Sequence, residues 1–295
     1  MMTDGSSTTR DVPQPVRKKS RVHRALIWMA LLYAGYCLLL YAVQDTLMFP
    51  GRLLQGYLEA PLSPNAVTIS IELESGGQVP AWFLPAMDGE AKAPTVVFFH
   101  GNGETVNDGE GLIRTYLASG FNAYLPEYRG FGLAAGHPNE RNIVSDMVRL
   151  YDELLKRPEV DAERIIFHGR SIGGAVAVQV AAHRECSALI LQSTFLTARM
   201  FAREYFAPSF LVTNDFETQA VLPGLNLPTL IMHGCDDSIV AVEHGRRLHA
   251  MTPNSVYVEF ECDHNDFPGA GNDVAHWEAI VSFLRKNRLG ARAVP

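Results

Sequence analysis

The sequence predicts an α/β fold, a mostly parallel central sheet with helices on both faces, preceded by one apolar helix. Three observations predict it. Strand-like and helix-like segments alternate from about residue 95 to residue 287. "TVVFFH" (95–100) is continuously apolar, the pattern of a strand covered on both faces. And "RIIFHG" (164–169) runs through a glycine-flanked serine into an Ala- and Val-rich helical stretch, a strand–turn–helix unit.

The elements follow in order. "AVTISIEL" (66–73) and "VPAWFLP" (79–85) flank "ESGGQ", a hairpin signal. After the strand 95–100 a helical stretch extends to about Ser119, and "FNAYLPE" (121–127) is the next strand. The loop "YRGFGLAAGHPNE" leads into a helix over 140–156. The strand 164–169 feeds a helix over 172–184. Further strands are expected at 188–193, 228–234 and 255–261, with helices at about 241–251 and 273–287. No repeat or break divides residues 44–290, which are expected to form one domain; residues 194–227 are too short for a large cap and read as a short lid.

"ALIWMALLYAGYCLLLYAV" (25–43) holds no charge over 19 residues. As a helix it spans about 28 Å, close to the thickness of a bilayer's hydrocarbon core. Trp28 and Tyr41 lie near its ends, where amphipathic aromatics favour the interface. A cleaved signal peptide is the competing reading; the run is long for one, no A-x-A site follows, and Tyr36 is too bulky for lipid processing at Cys37. A retained anchor is therefore expected. Arg10, Arg17, Lys18, Lys19, Arg21 and Arg24 precede it, while 44–63 holds only Arg52. The positive-inside rule then keeps the N-terminus cytoplasmic and puts the body on the far side, the periplasm in a bacterium. The basic tail, 1–24, is expected to be disordered over its first 20 residues.

That tail carries a net +4, which leaves −11 of the chain's −7 to residues 25–295. An acidic body excludes nucleic acid as partner, since phosphate binding needs clustered Lys and Arg. Four cysteines, none in a CxxC pair, make no disulfide scaffold, and the ten histidines show no metal-ligand spacing. No cofactor or metal is expected. Oligomeric state is not legible.

The chemistry lies at strand ends, where open α/β sheets bind ligands. Gly169–Arg170–Ser171–Ile172–Gly173 has the G-x-S-x-G pattern, in which small residues on either side let a sharp turn push the serine hydroxyl out of the sheet. A serine needs a base, and the base an orienting acid. His264 follows the strand 255–261, and Asp236 and Asp237 follow the strand 228–234, giving the chain order Ser, Asp, His. Oxyanion-stabilising amides are expected from Ile172 and from the loop His100–Gly101–Asn102–Gly103, with Asn102 the chosen donor.

Together "FFHGNG", "PEYRGFG", "GRSIGG", "PTLIMHGCDDSIV" and "CDHNDF" resemble the membrane-anchored α/β-hydrolase-domain family of serine hydrolases, which includes acyl-thioesterases and lysophospholipid lipases. The resemblance covers about residues 44–287, with the anchor and its "QDTLMFP" exit. It implies the α/β-hydrolase fold and selects Asp237 over Asp236 as the acid, by the pattern H-G-x-x-D-x-x-V. It implies a serine hydrolase acting on an ester or thioester of a small-molecule or lipid-like acyl substrate. A peptidase or amidase with the same residues, or a non-catalytic binding protein on the same fold, are the alternatives.

Three positions depart from the family pattern: Glu127 in place of Asp, Asp263 in place of Gly before the histidine, and Glu104 after the oxyanion loop. Asp263 raises the question whether it tunes His264 or competes with Asp237 for its proton. His100, His137, His168 and His233 read as hydrogen-bonded structural residues, and Arg129 as the partner of a local backbone group or carboxylate. The lid aromatics Phe195, Phe201, Tyr205, Phe206, Phe210 and Phe216 are expected to pack the lid onto the body, and suit an acyl-chain wall. Cys235 and Cys262 flank the acid and base, so a disulfide between them is considered beside the simpler reading of four free thiols.

Overall fold

The computed structural model describes residues 21–54, 65–87 and 91–290, so the expectation of a disordered tail over 1–20 falls outside the described residues. Eight strands form one sheet: β1 (Val67–Glu72), β2 (Gln78–Leu84), β3 (Ala93–Phe99), β4 (Asn122–Pro126), β5 (Val160–Arg170), β6 (Ala188–Gln192), β7 (Thr229–Gly234) and β8 (Ser255–Phe260). Their order across the sheet is β1-β2-β4-β3-β5-β6-β7-β8. Strand β2 is antiparallel to both its neighbours, β1 and β4, and β3 to β8 run parallel. Gly76 and Gly77, both at positive φ, make the hairpin turn.

The helices are α1 (Arg21–Met48), α2 (Glu110–Ala118), α3 (Glu140–Leu154), α4 (Ile172–Ala181), α5 (Thr218–Leu225), α6 (Glu243–Met251) and α7 (Asp273–Lys286). Alternate residues of each central strand feed opposite faces, as a period of two requires. Val97 and Phe99 of β3 with Phe167 of β5 join the core under α3 and α4, while Val96 and Ile166 join Tyr116 of α2 and Phe283 and Leu284 of α7. Helix α3 buries Ile143, Met147, Leu150, Tyr151 and Leu154, one stripe at helical spacing, and Asn139 caps it by accepting from the Asn142 amide at 2.8 Å.

Three elements differ from expectation. Helix α1 is longer than residues 25–43 at both ends, because nothing from Arg21 to Met48 breaks it before Pro50. Helix α2 begins only at Glu110. Residues 101–109 hold three glycines, and the Asp108 carboxylate accepts from Thr105 N at 2.7 Å, a local turn that competes with helix. Helix α5 falls in the expected lid segment, with no bounds of its own in the sequence reading; Pro223 and Gly224, both inside it, hide its signal.

The chain passes from β3 to β4 on one side of the sheet and then to β5 on the other. The loops leaving β3 and β5 therefore diverge around the crevice where such sheets bind ligands.

Candidate active site

Ser171 sits between β5 and α4 with φ 54° and ψ −121°, a strained conformation for a residue with a Cβ. Close packing explains why glycines surround it. A Cβ at Gly173 would lie 2.0 Å from the Phe99 carbonyl oxygen, and one at Gly169 2.3 Å from that of Gly173. The turn is held from outside: Ser171 N donates to Gln192 O at 2.8 Å, and the Thr194 hydroxyl donates to Ser171 O at 2.7 Å. The N-terminus of α4 starts at the serine and favours negative charge there.

His264 Nε2 lies 3.0 Å from Ser171 Oγ, and His264 Nδ1 lies 2.7 Å from Asp237 Oδ2. The three side chains come from three loops, after β5, β7 and β8, and all are at least nine-tenths buried. The other oxygen of Asp237 accepts from the amides of Ile239 at 3.0 Å and Val240 at 2.7 Å. Burial alone would raise the Asp237 pKa. Hydrogen bonding with His233 and His264, together with the Val240 amide, outweighs it and holds the carboxyl well below the usual range. Asp237 is thus held as the anion. Asp236, the other acid left open by the residues alone, is turned away: its neighbour is the Cys235 thiol at 3.7 Å.

Asn102 and Ile172 both line the cavity that holds Ser171, and among the described residues neither main-chain amide donates a hydrogen bond. Gly101 and Gly103 flank Asn102, and the Glu104 carboxylate accepts from Gly101 N at 2.6 Å, which fixes that loop. Arg170, the residue before the serine, forms an ion pair with Glu104 and donates to the His264 carbonyl at 3.0 Å. One guanidinium therefore ties the loop after β3 to the loop carrying the histidine. Sequence reasoning missed this role; the charge complementarity of Glu104 and Arg170 was its only signal.

Asp263 does not touch the imidazole. Its Oδ1 accepts from Ser238 N at 2.7 Å, Ser238 Oγ at 2.8 Å and His264 N at 2.7 Å. It pins the histidine loop to the acid loop and leaves Asp237 as the imidazole's partner. Glu127 lies 2.8 Å from His100 Nε2 at the start of the loop after β3, both groups buried. His233 supports the acid, with Nε2 3.5 Å from Asp237 and 2.8 Å from the Val240 carbonyl. Arg129 forms a two-pronged pair with buried Asp146 at 2.6 and 2.7 Å. All four cysteines are free, so the bridge considered between Cys235 and Cys262 is not formed.

The cavity measures about 590 Å³. Phe195, Phe201 and Tyr205 of the lid segment form part of its wall, whereas Phe216 is core and Phe206 and Phe210 face outward, 82% and 80% exposed. One part of the wall was not anticipated: Leu40, Tyr41, Gln44, Leu47 and Met48 belong to α1. Among the described residues no cluster of His, Cys, Asp and Glu could hold a metal ion.

Comparison with known proteins agrees with this fold. Residues 90–213 match a family model described as serine aminopeptidase, S33. The alpha/beta hydrolase domain-containing protein WAV2 of Arabidopsis thaliana is 29% identical over 286 residues, covering 87% of this chain and 92% of that protein. Protein bem46 of Schizosaccharomyces pombe is 27% identical over 287 residues, covering 91% and 94%. Among solved structures, Est1E from Butyrivibrio proteoclasticus superposes with a TM-score of 0.61 at 15% identity, over 75% of this chain and 98% of that one. The Pyrococcus furiosus esterase Pf2001 superposes with a TM-score of 0.62 at 17% identity, over 79% and 97%. These two likenesses show the fold alone. With a mostly parallel eight-stranded sheet, near-full-length similar proteins and a family model matched over residues 90–213, the chain has the α/β-hydrolase fold.

Proposed function

We propose that the protein is a membrane-anchored serine hydrolase that cleaves esters or thioesters of acyl substrates. The observation that carries this reading is the hydrogen-bonded series Ser171, His264 and Asp237 opening on an apolar-walled cavity. His264 Nε2 takes the Ser171 proton as Oγ attacks the substrate carbonyl carbon. Asp237, already anionic, accepts from Nδ1–H, fixes the tautomer and stabilises the imidazolium. The carbonyl oxygen becomes an oxyanion facing the Asn102 and Ile172 amides. Collapse expels the alcohol or thiol, which leaves with the proton from Nε2. Water, deprotonated in turn by His264, then attacks the acyl-enzyme; the acid departs and Ser171 regains its proton.

The family model's description favours an aminopeptidase as the second reading. Such an enzyme needs a free carboxylate to hold the substrate's α-ammonium group. Of the carboxylates on the cavity wall, Glu104 is occupied by Arg170 and Gly101, and Glu204 is exposed at the rim. The walls are otherwise suited to hydrocarbon, and the ester reading is preferred.

Covalent labelling by a fluorophosphonate tests the reading. Detergent-solubilised wild type is expected to label, and Ser171→Ala and His264→Ala are not. In sealed membrane vesicles that keep the outer face outward, a membrane-impermeant probe is expected to label as well, which places the body across the membrane from the basic tail. Folded wild type that fails to label would end the catalytic reading, and labelling only after the vesicles are opened would reverse the topology.

A further inference from the structure

Helix α1 does more than precede the body; its second half is bonded to the lid. The Tyr33 hydroxyl donates to Phe206 O at 3.0 Å and the Tyr36 hydroxyl to Tyr205 O at 2.7 Å. Gln44 donates to Leu211 O at 3.1 Å and accepts from Thr213 N at 3.0 Å, and Asn214 donates to Asp45 at 2.7 Å. These bonds fix the register of lid against helix. Tyr33 and Tyr36 lie near the middle of the charge-free stretch 25–43, about 10–15 Å along the axis from residue 43. If that stretch crosses a bilayer with its hydrocarbon boundary near residue 43, the lid tip lies about one leaflet deep.

The lid tip meets most of what a lipid environment demands. Backbone polar groups in hydrocarbon must be paired within the protein. The amides of Tyr205, Phe206, Ala207, Leu211 and Val212 donate within the segment, Pro208 has none, and the tyrosines of α1 cap the carbonyls of residues 205 and 206; the amides of Ser209 and Phe210, at the start of the 3-10 turn Ser209–Leu211, are the exceptions. Phe206 and Phe210 project outward with no protein to cover them. Arg203 and Glu204 stand just before the tip, where long side chains reach back toward headgroups. In water this would be an exposed apolar patch continuous with α1, of the kind that marks a membrane contact.

We propose that the lid tip, residues 205–211, enters the same leaflet as α1, and that the cavity takes a lipid acyl chain sideways from that leaflet. The acyl route rests on the hydrolase and anchor reading above; the insertion rests on the anchor alone. Leu40, Tyr41, Leu47 and Met48 of α1 line, together with Phe201 and Tyr205 of the lid, the cavity that holds Ser171. A chain entering between helix and lid stays in apolar surroundings until its carbonyl reaches the serine. The occupant of the outward face is lipid hydrocarbon, and the substrate class is a bilayer-resident acyl ester or thioester.

The test uses the full chain in phosphatidylcholine vesicles. Trp28→Phe removes the tryptophan of α1, and Phe210→Trp on that background reports the lid tip. Lipid brominated in mid-chain is expected to quench the added emission by about half or more, while aqueous iodide leaves it. Emission quenched by iodide and untouched by bromolipid would overturn the proposal. In parallel, Phe206→Ser/Phe210→Ser is expected to keep kcat/KM for a soluble short-chain ester within about twofold, and to lose about tenfold on a long-chain ester dissolved in the bilayer. Equal retention of both activities overturns the acyl route. Bromolipid quenching of the Trp28→Phe/Phe210→Trp variant, together with a wild type that hydrolyses neither ester, overturns the hydrolytic reading and leaves the insertion standing, so the two failures are distinguishable.

Discussion

Asp237→Asn is the most discriminating single change, because the structure dictates which way the new amide must face. One oxygen of Asp237 accepts two amides, from Ile239 and Val240; the other meets His264 Nδ1 at 2.7 Å. In the variant the asparagine oxygen must stay with the two N–H donors, since the opposite rotamer would aim its NH₂ at them. The NH₂ group then faces His264 Nδ1 and donates to it. Nδ1 becomes an acceptor, the imidazole proton moves to Nε2, and Nε2–H points at Ser171 Oγ. A histidine in that tautomer cannot take the serine's proton. The same loss of tautomer and of imidazolium stabilisation costs about 10⁴ in kcat in serine proteases, or about 5 kcal/mol of transition-state stabilisation. Asp237 does not line the cavity, so KM should change little. The assay is kcat and KM on a short-chain p-nitrophenyl ester in detergent, with circular dichroism to show that the fold persists. A folded variant with kcat within about tenfold of wild type would refute the assignment of the acid.

Two further predictions concern the body. His276 is buried edge-on against Phe260 and Phe267, and burial lowers its pKa from 6.5 to about 4 despite the opposing pull of Asp273. The unfolded chain therefore binds a proton that the folded chain refuses, and stability falls as pH drops from 6.5 toward 4, by about 3 kcal/mol from this residue; His276→Phe should remove that share of the slope in urea titrations across the range, and an unchanged slope would count against it. Arg129→Ala leaves the fully buried Asp146 carboxylate with only the Arg149 guanidinium, at 4.0 Å, and should cost about 3 kcal/mol in chemical denaturation with KM unchanged; a raised KM at unchanged stability would instead make Arg129 a substrate ligand.

The strands were legible because burial on both faces leaves a continuous apolar run, and β3, β6 and β7 carry one. Ser171 and His264 were legible from chain order alone, since each ends a strand and the sheet brings strand ends together. The choice between Asp236 and Asp237 was not: adjacent acids in a turn face different ways, and only the amides of Ile239 and Val240 select one. Asp263 misled for a related reason. Sequence shows that a carboxylate adjoins the histidine, but not that three donors from Ser238 and His264 consume it. Helix α5 escaped because propensity argues against Pro223 and Gly224, and packing of Leu222 into the core overrides it.

The contribution of α1 to the cavity was illegible in principle. A charge-free run of 19 residues states how long the helix is, and nothing in it states what its sides touch. Only the bonds from Tyr33, Tyr36 and Gln44 to the lid reveal that the helix and the wall of the cavity are one unit. Those residues now explain a feature the hydropathy pattern leaves odd. Two tyrosines near the centre of a span are costly unless their hydroxyls are bonded, and here they are bonded to carbonyls that hydrocarbon would otherwise leave unpaired. Each group's desolvation cost is relieved by the other. In water, where both groups are solvated, the pairing gains only about 1 kcal/mol per bond; in hydrocarbon it relieves two desolvation costs at once, and so the seam between helix and lid supports the insertion proposed above.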